Sequence, residues 1–562
     1  MMKRNAERTI RRLVGLLAIA IVAVGCTAGA EDGDAVPEDG GEASEATDDG
    51  EDTGEETVAS PDDQHGLADE LVIAIDGESP TLARPWAYKA DQGLVMRNVL
   101  ESLIERDAET ADFIPGLATE WEQVDDLTWR FQLRENVEFH DGSPFNAEAA
   151  AFSFNDTFSE ENADDPPYVP VQGRLGGNLP EAVVVDEFTI DISTESPQPV
   201  LLSHISSAPI SSMEQLEERP ETFESEPIGT GPYRFVEWNR GSSYTLEVNE
   251  DWWGWESEEI QQKPSYAKVT FLVRPEVSSR IAAVRAGEAD FAWDLPVDEC
   301  QSELGDNCVQ APNPTTSLVR IDTPHPTLGD PRVKEALAIS IDRVGIGEAL
   351  FGGAPPASQL DVEGALGFND QIEPFEYNPE RAEELLDEAR ADGVDLDIEI
   401  ELYGREGSFV GDRQLLEVLQ NTWSDLGLNI NAQMLDIASY NDIWVGGPAN
   451  YEEGRSAIFM IRLDNDLFDA ARMFSITLDC EGLINIECIE DLDERYREAM
   501  GLPPEERQAA FEEIQRDAYA DVENLVFVPI NELRLFHGVG DDVEWEPRPD
   551  VFVFAREFSP AS

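Results

Sequence analysis

Between Pro227 and Gly254 the chain reads PIGTGPYRFVEWNRGSSYTLEVNEDWWG, a stretch that leaves little choice of local structure. Gly229, Gly231 and Pro232 demand a sharp turn, since glycine accepts positive φ and proline fixes its own. Two alternating runs follow. In the second, Tyr244, Leu246 and Val248 alternate with Thr245, Glu247 and Asn249. Asn239-Arg240-Gly241-Ser242 lies between the runs, which predicts a β-hairpin closed by a short glycine-containing loop.

Strand and helix patterns alternate through the rest of the chain, giving an α/β class. Asn98–Ala150 reads as a helix, an alternating strand at Trp129–Leu133, a turn at Asp141-Gly142 and a helix from the Asn146 cap over Ala147–Phe154. A strand is expected over Ala182–Ile192. After the hairpin come a strand at Ala267–Val273, a helix over Ser278–Gly287 and a strand from Ala289. Asp330-Pro331 and Asn378-Pro379 each place a capping side chain before a proline suited to the first helical position. Val333, Leu337, Ile341 and Val344 then form an apolar stripe; Ala382, Leu385, Leu386 and Ala389 form another, closed by Gly393. Val394–Leu402, a helix over Asp412–Leu426 and Leu428–Met434 predict a βαβ crossover with a parallel pair. Pro503–Val522 reads as an amphipathic helix and Leu525–Ile530 as an apolar strand.

GTGPYRFVEW followed by a turn, a strand and N-x-x-x-W-G resembles the signature of bacterial extracytoplasmic solute-binding proteins of family 5, the peptide/nickel-type receptors of ABC importers. DPRVKEALAISIDR at Asp330–Arg343 resembles that family's D-x-R-V-R-x-A-L-x-x-A-I-D-R helix. VLESLIERD, GLATEWEQVDDLTWRFQLRENVEFHDGSPFNAEAAAFSFN and the helix–GExD–strand unit near Gly287 are similar to further family stretches, so the likeness spans nearly the whole mature domain. The resemblance implies a two-lobed periplasmic-binding-protein fold of type II, cluster C-like, with an extra inserted domain and a hinge. It divides the chain into 1–26 signal peptide, 27–69 tether, 70–90 first lobe, 91–225 inserted domain, 226–312 first lobe, 313–524 second lobe and 525–562 return to the first lobe.

The chain begins with a basic segment (Lys3, Arg4, Arg8, Arg11, Arg12) and the apolar run Leu13–Val24, too short for a membrane span of about 20 residues. Ala23-Val24-Gly25-Cys26 resembles a lipobox, which makes Cys26 the expected lipidation site. From Glu31 to Glu70 there are 17 Asp/Glu and no Lys/Arg, a composition expected to stay solvated and extended as a tether. The formal net charge of −80 excludes nucleic acid as a partner, which needs a basic footprint. Adaptation to high salt and attraction of a cationic ligand both account for such a charge, and its spread over the whole chain favours the first. Cys300 with Cys308 and Cys480 with Cys488 each close a short loop and are expected as disulfides in an exported protein.

No nucleophile or metalloprotease motif stands out, and His65, His140, His204, His325 and His537 lack metal spacing, so no catalytic residue, metal or cofactor is expected. His140 reads as a structural residue of its turn. In the peptide-binding branch of the family, W-x-x-D-Y supplies an aspartate for the ligand's α-ammonium. Ile461-Arg462-Leu463-Asp464-Asn465 matches it at Asp464 only, with Asp466 as a second carboxylate and Arg462 as an added charge. Trp86 and Tyr88 fall in a loop that lines the family's cleft, and Arg405 is placed to meet a ligand carboxylate. The expected function is capture of a small solute, foremost a peptide, by a monomeric receptor. A lipid anchor would hold it outside the cell membrane, from where it serves ABC permease subunits. A secreted hydrolase and a solute sensor are the alternatives.

Overall fold

The computed structural model describes residues 65–79, 81–82, 90–159, 178–260, 262–444, 451–452 and 454–562. The predicted hairpin is present: Tyr233–Asn239 pairs antiparallel with Ser243–Val248, and Gly241 turns the loop at φ 72°. It forms one edge of a seven-stranded sheet. The order continues through Tyr266–Val273, Ala68–Ile75, Phe291–Ala292 and Leu535–Val539 to Cys308–Ala311. A second, five-stranded sheet runs Asn429–Leu435, Glu399–Arg405, Ala457–Asp464, Thr315–Ile321, Phe527–Glu532. A four-stranded antiparallel sheet, Ala118–Asp125, Thr128–Leu133, Thr189–Ser193, Glu181–Asp186, belongs to the inserted segment.

Each sheet has its own core. Helices Pro331–Ile339, Pro379–Ala391 and Asp412–Asp425 cover one face of the second sheet with Leu337, Leu385, Leu386, Leu415, Leu419 and Trp423. Its other face carries Phe459, Ile461, Phe474 and Phe511. The capping signals hold: Asp330 accepts from the Arg332 amide and Asn378 from the Arg381 amide. Glu399–Arg405 and Asn429–Leu435 are parallel across Asp412–Asp425, as the crossover pattern requires.

Local patterns misplace some elements. The Val333–Val344 stripe is broken at Ser340, because the Asp342 carboxylate accepts from the Gly345 amide at 2.9 Å and starts a new helix; Val344 is left 57% exposed. Ala182–Ile192 is two strands, turned where Asp186 accepts from the Phe188 amide. The helix expected in the VLESLIERD region lies earlier, over Ala90–Met96, and Glu101–Ser102 and Ile104–Arg106 are short strands. Leu94–Leu100 packs in the first lobe's core, so the inserted core starts near Leu103, not at residue 91. Phe527–Glu532 pairs with Thr315–Ile321 in the second sheet, so the chain returns to the first lobe at Leu535 and not at residue 525.

The turn before the hairpin is fixed by a buried carboxylate. Glu101 accepts from Thr230 Oγ1 at 2.8 Å, Trp252 Nε1 at 3.0 Å and Trp253 Nε1 at 2.8 Å. Gly229 and Gly231 are needed because a Cβ at either would lie 2.2 or 2.7 Å from the Val99 carbonyl oxygen. Burial, with help from Glu105, pushes the Glu101 pKa up to about 7 against the pull of its donors. A raised carboxyl pKa means the folded chain holds this proton more tightly than the unfolded one. Its contribution is therefore full below the unfolded value of roughly 4.3 and is lost as pH rises through about 7. Urea titrations should show the stability advantage of wild type over Glu101→Gln shrinking between roughly pH 4.5 and 7.5; an advantage flat over that range would contradict this assignment.

Candidate functional site

In open α/β sheets ligands bind outside the carboxyl ends of the strands. Three strands of the second sheet are parallel and end at Arg405, Leu435 and Asp464, and Thr315 begins its antiparallel strand at that same edge. Glu532 ends there too. Both connections between the two large sheets leave from this edge, Ala311 to Thr315 and Glu532 to Leu535. They are joined where the Leu533 amide donates to the Thr315 carbonyl at 2.8 Å.

Asp464 sits beside that crossing. It lies opposite Thr315 in the ladder, and the Thr315 hydroxyl donates to Asp464 Oδ1 at 2.7 Å. Arg462 Nη1 stands 3.7 Å from the same oxygen, and the Asp464 side chain is 46% exposed. Strand alternation puts Arg462 and Asp464 on the face of Ile458 and Met460, over the helix-covered core. Arg405 falls on the opposite face with Tyr403, whose ring packs 5.3 Å from Phe459; Arg405 Nη2 donates to Ser408 Oγ at 3.3 Å. The structure thus brings Arg462 and Asp464 together and keeps Arg405 apart from them.

Asp466 turns elsewhere. Its Oδ1 lies 3.9 Å from Arg472 Nε, and it contributes to the field around Arg106 of the inserted domain. Arg106 was not distinguished by sequence, yet its Nη2 donates to the Leu467 carbonyl at 2.8 Å and to Ser203 Oγ at 2.9 Å. Ser203 Oγ donates in turn to the Leu467 carbonyl at 3.0 Å. The guanidinium lies over the rings of Phe113 and Phe468 at 4.5 and 5.1 Å. Burial lowers its pKa to about 10, which leaves it charged at neutral pH. The inserted domain therefore grips the Leu467–Phe468 turn, two residues past Asn465.

Trp86, Tyr88 and Cys26 lie outside the described residues. The stems of the Trp86 loop are described: Glu78 accepts from Trp238 Nε1 at 2.6 Å and from the Gly241 amide, and the Leu82 amide donates to the Glu224 carbonyl. These anchors place the first stem against the hairpin and the second against the segment that precedes its turn. Cys300–Cys308 and Cys480–Cys488 are bonded, with Cα separations of 5.4 and 4.7 Å. Two histidines are held neutral by burial: His140, pushed down to about 4, donates from Nε2 to the Gly231 carbonyl, and His537 is pushed down to about 3. Among the described residues no group of three or more His, Cys, Asp or Glu could hold a metal ion.

The family model for bacterial extracellular solute-binding proteins, family 5, matches residues 112–483. The dipeptide-binding protein of Escherichia coli is 25% identical over 408 residues, covering 67% of this chain and 72% of that protein. Heme-binding protein A of Haemophilus influenzae is 24% identical over 442 residues, covering 74% and 78%. The crystal structure of a dipeptide-binding protein from Pseudoalteromonas in complex with Met-Leu has the same fold, with a TM-score of 0.69 at 21% identity over 88% of this chain and all of that one.

Arg106→Met keeps an apolar stem against Phe113 and Phe468 but removes one of the two donors to the Leu467 carbonyl, leaving Ser203, and the guanidinium donor to the Ala111 carbonyl. It should lower the unfolding free energy by about 1–3 kcal/mol, the worth of hydrogen bonds from a buried charged donor, measured by urea titration. A change below about 0.5 kcal/mol, the ordinary scatter of surface substitutions, would show that the contact carries no weight.

Proposed function

Because the chain belongs to the bacterial extracellular solute-binding proteins of family 5, we propose that it is the solute receptor of an ABC importer and takes a peptide between its two lobes. The observation that carries the ligand reading is Asp464, half-exposed at the carboxyl edge of the second sheet and beside the crossing between lobes. The contacts from Thr315 and Arg462 both use Oδ1. Oδ2 is thus the oxygen for a ligand's ammonium, to which a carboxylate gives a charge-assisted hydrogen bond. Arg462, on the same face, is the cation for a carboxylate further along the ligand. Arg405, on the other face, meets a ligand only beyond the sheet edge. Trp86 and Tyr88 would cover the ligand from the first lobe.

Similarity to dipeptide-binding proteins supports a peptide, and similarity to a heme-binding protein shows how far ligands diverge at this level of identity. Closure is a population shift toward the state in which the ligand touches both lobes. Among the described residues no helix is long and apolar enough to cross a membrane. Lipid on Cys26, followed by the acidic tether, would keep the receptor at the outer face of the membrane, near the permease.

Residues 65–562 with a pool of di- and tripeptides should show a thermal shift, since about 100-fold excess over Kd adds about 2.7 kcal/mol of stability. Asp464→Ala should weaken peptide binding by about 30-fold or more, the ~2 kcal/mol lost when one member of a buried charge pair is truncated. A shift with peptides that survives Asp464→Ala would move the ammonium site elsewhere; no shift with any peptide would remove the peptide reading. Cys26→Ser in the full chain should move the protein from the detergent phase to the aqueous phase on Triton X-114 partition, and partition unchanged by the substitution would argue against lipidation.

A further inference from the structure

Asn465 occupies the tyrosine position of the W-x-x-D-Y pattern, but it does not face a ligand. It is fully buried and tied on every side. Its amide donates to the Pro314 carbonyl at 2.7 Å, within the crossing between lobes. Its side-chain Nδ2 donates to Asp361 Oδ1, and its Oδ1 accepts from the Asp469 amide at 3.3 Å. Its carbonyl accepts from the Phe468 amide at 3.2 Å, closing a turn in which Phe468 takes φ +54°. This turn presents the Leu467 carbonyl to Arg106 and Ser203.

Asp361 is the other half of the arrangement. It is buried, with no cation against it among the described residues: its two oxygens accept from Asn465 Nδ2 and Gln515 Nε2. Its own segment is rigid, since Gln359 and Asn369 exchange hydrogen bonds between side chain and backbone at 2.9 and 3.1 Å, and the Leu366 amide donates to the Phe468 carbonyl at 3.0 Å. An uncompensated carboxylate in a core is costly, and replacing it with an apolar group of similar size would be the stable choice if packing alone mattered. What the carboxylate provides is a fixed pair of acceptors that orients Asn465.

We infer that Asp361 is a positioning residue of the binding site: through Asn465 it sets both the aim of Asp464 and the turn that carries Leu467 to the inserted domain. The part concerning Asp464 rests on the receptor reading above; the part concerning the turn does not. The ordering of the 465–469 turn is the property to measure, and the neutral isostere separates acceptor geometry from charge. Asp361→Asn keeps an oxygen toward Asn465 and turns an amide toward Gln515, whose Oε1 makes no hydrogen bond among the described residues and can accept it once that side chain flips.

The test is hydrogen exchange at the Phe468 and Asp469 amides in residues 65–562, together with affinity for the dipeptide Ala-Phe. Asp361→Ala should speed exchange at both amides by about 10-fold or more and weaken the dipeptide by about 10-fold. Asp361→Asn should stay within about 3-fold of wild type in both, a rescue that loss of core packing alone does not give. Should Asp361→Ala fail to fold, Asn465→Ala serves in its place and should speed exchange by the same factor. Exchange unchanged in the alanine variants, or raised equally by Asp361→Asn, overturns the inference. If wild type binds neither this dipeptide nor any peptide of the di- and tripeptide pool, the peptide reading falls, and exchange still decides the role of Asp361.

Discussion

The polypeptide passes between its two large sheets by two short segments, Ala311 to Thr315 and Glu532 to Leu535, which lie side by side and share the Leu533–Thr315 hydrogen bond. Much else at the site depends on this crossing. Because both segments leave from the carboxyl edge of the second sheet, the strand ends at Arg405 and Asp464 lie on the side of the sheet from which the chain crosses to the first lobe. Thr315, which holds Asp464, and Pro314, which holds Asn465, are themselves crossing residues. A rotation about these few residues changes the distance between lobes while each sheet keeps its own core, which is the physical basis for hinge closure.

Polar groups are buried where separate parts of the chain must meet in one arrangement. Glu101 gathers Thr230, Trp252 and Trp253 at the junction of the hairpin with the inserted domain. Asp361 gathers Asn465 and Gln515 under the 465–469 turn. Arg548, paired with Asp550 and Glu557, donates to the Arg106 carbonyl and so links the C-terminal segment to the inserted domain. Apolar contact is tolerant of small slips, whereas a buried carboxylate with two or three donors accepts one geometry. These junctions therefore fix the relative placement of parts that hydrophobic burial alone would leave loose.

What the sequence revealed followed range. The hairpin, the proline-started helices and the parallel crossover are local, written in alternation, caps and glycines such as Gly241 and Gly393. Errors arose where a second local signal overrode periodicity, as when the Asp342 cap cut the Val333–Val344 stripe. Asp464 could be placed on a strand end because its neighbours resemble a short motif. Its partner Thr315 could not, because register between strands 149 residues apart is set by the sheet and not by either segment. Arg106 and Leu467, 361 residues apart, meet only once three domains have packed, and nothing near Arg106 marks it. Asp361 looked like one acid among many.

A bound solute should favour the arrangement seen here, in which Arg106 and Ser203 of the inserted domain meet the Leu467 turn of the second lobe, over arrangements opened about the crossing. Spin labels on the exposed positions Val183 of the inserted domain and Ile437 of the second lobe report the distance between these two parts directly by pulsed electron paramagnetic resonance. Saturating peptide should replace a broad distribution with a narrower, shorter one. A distribution unchanged by a ligand that demonstrably binds would contradict closure as the receptor's working motion.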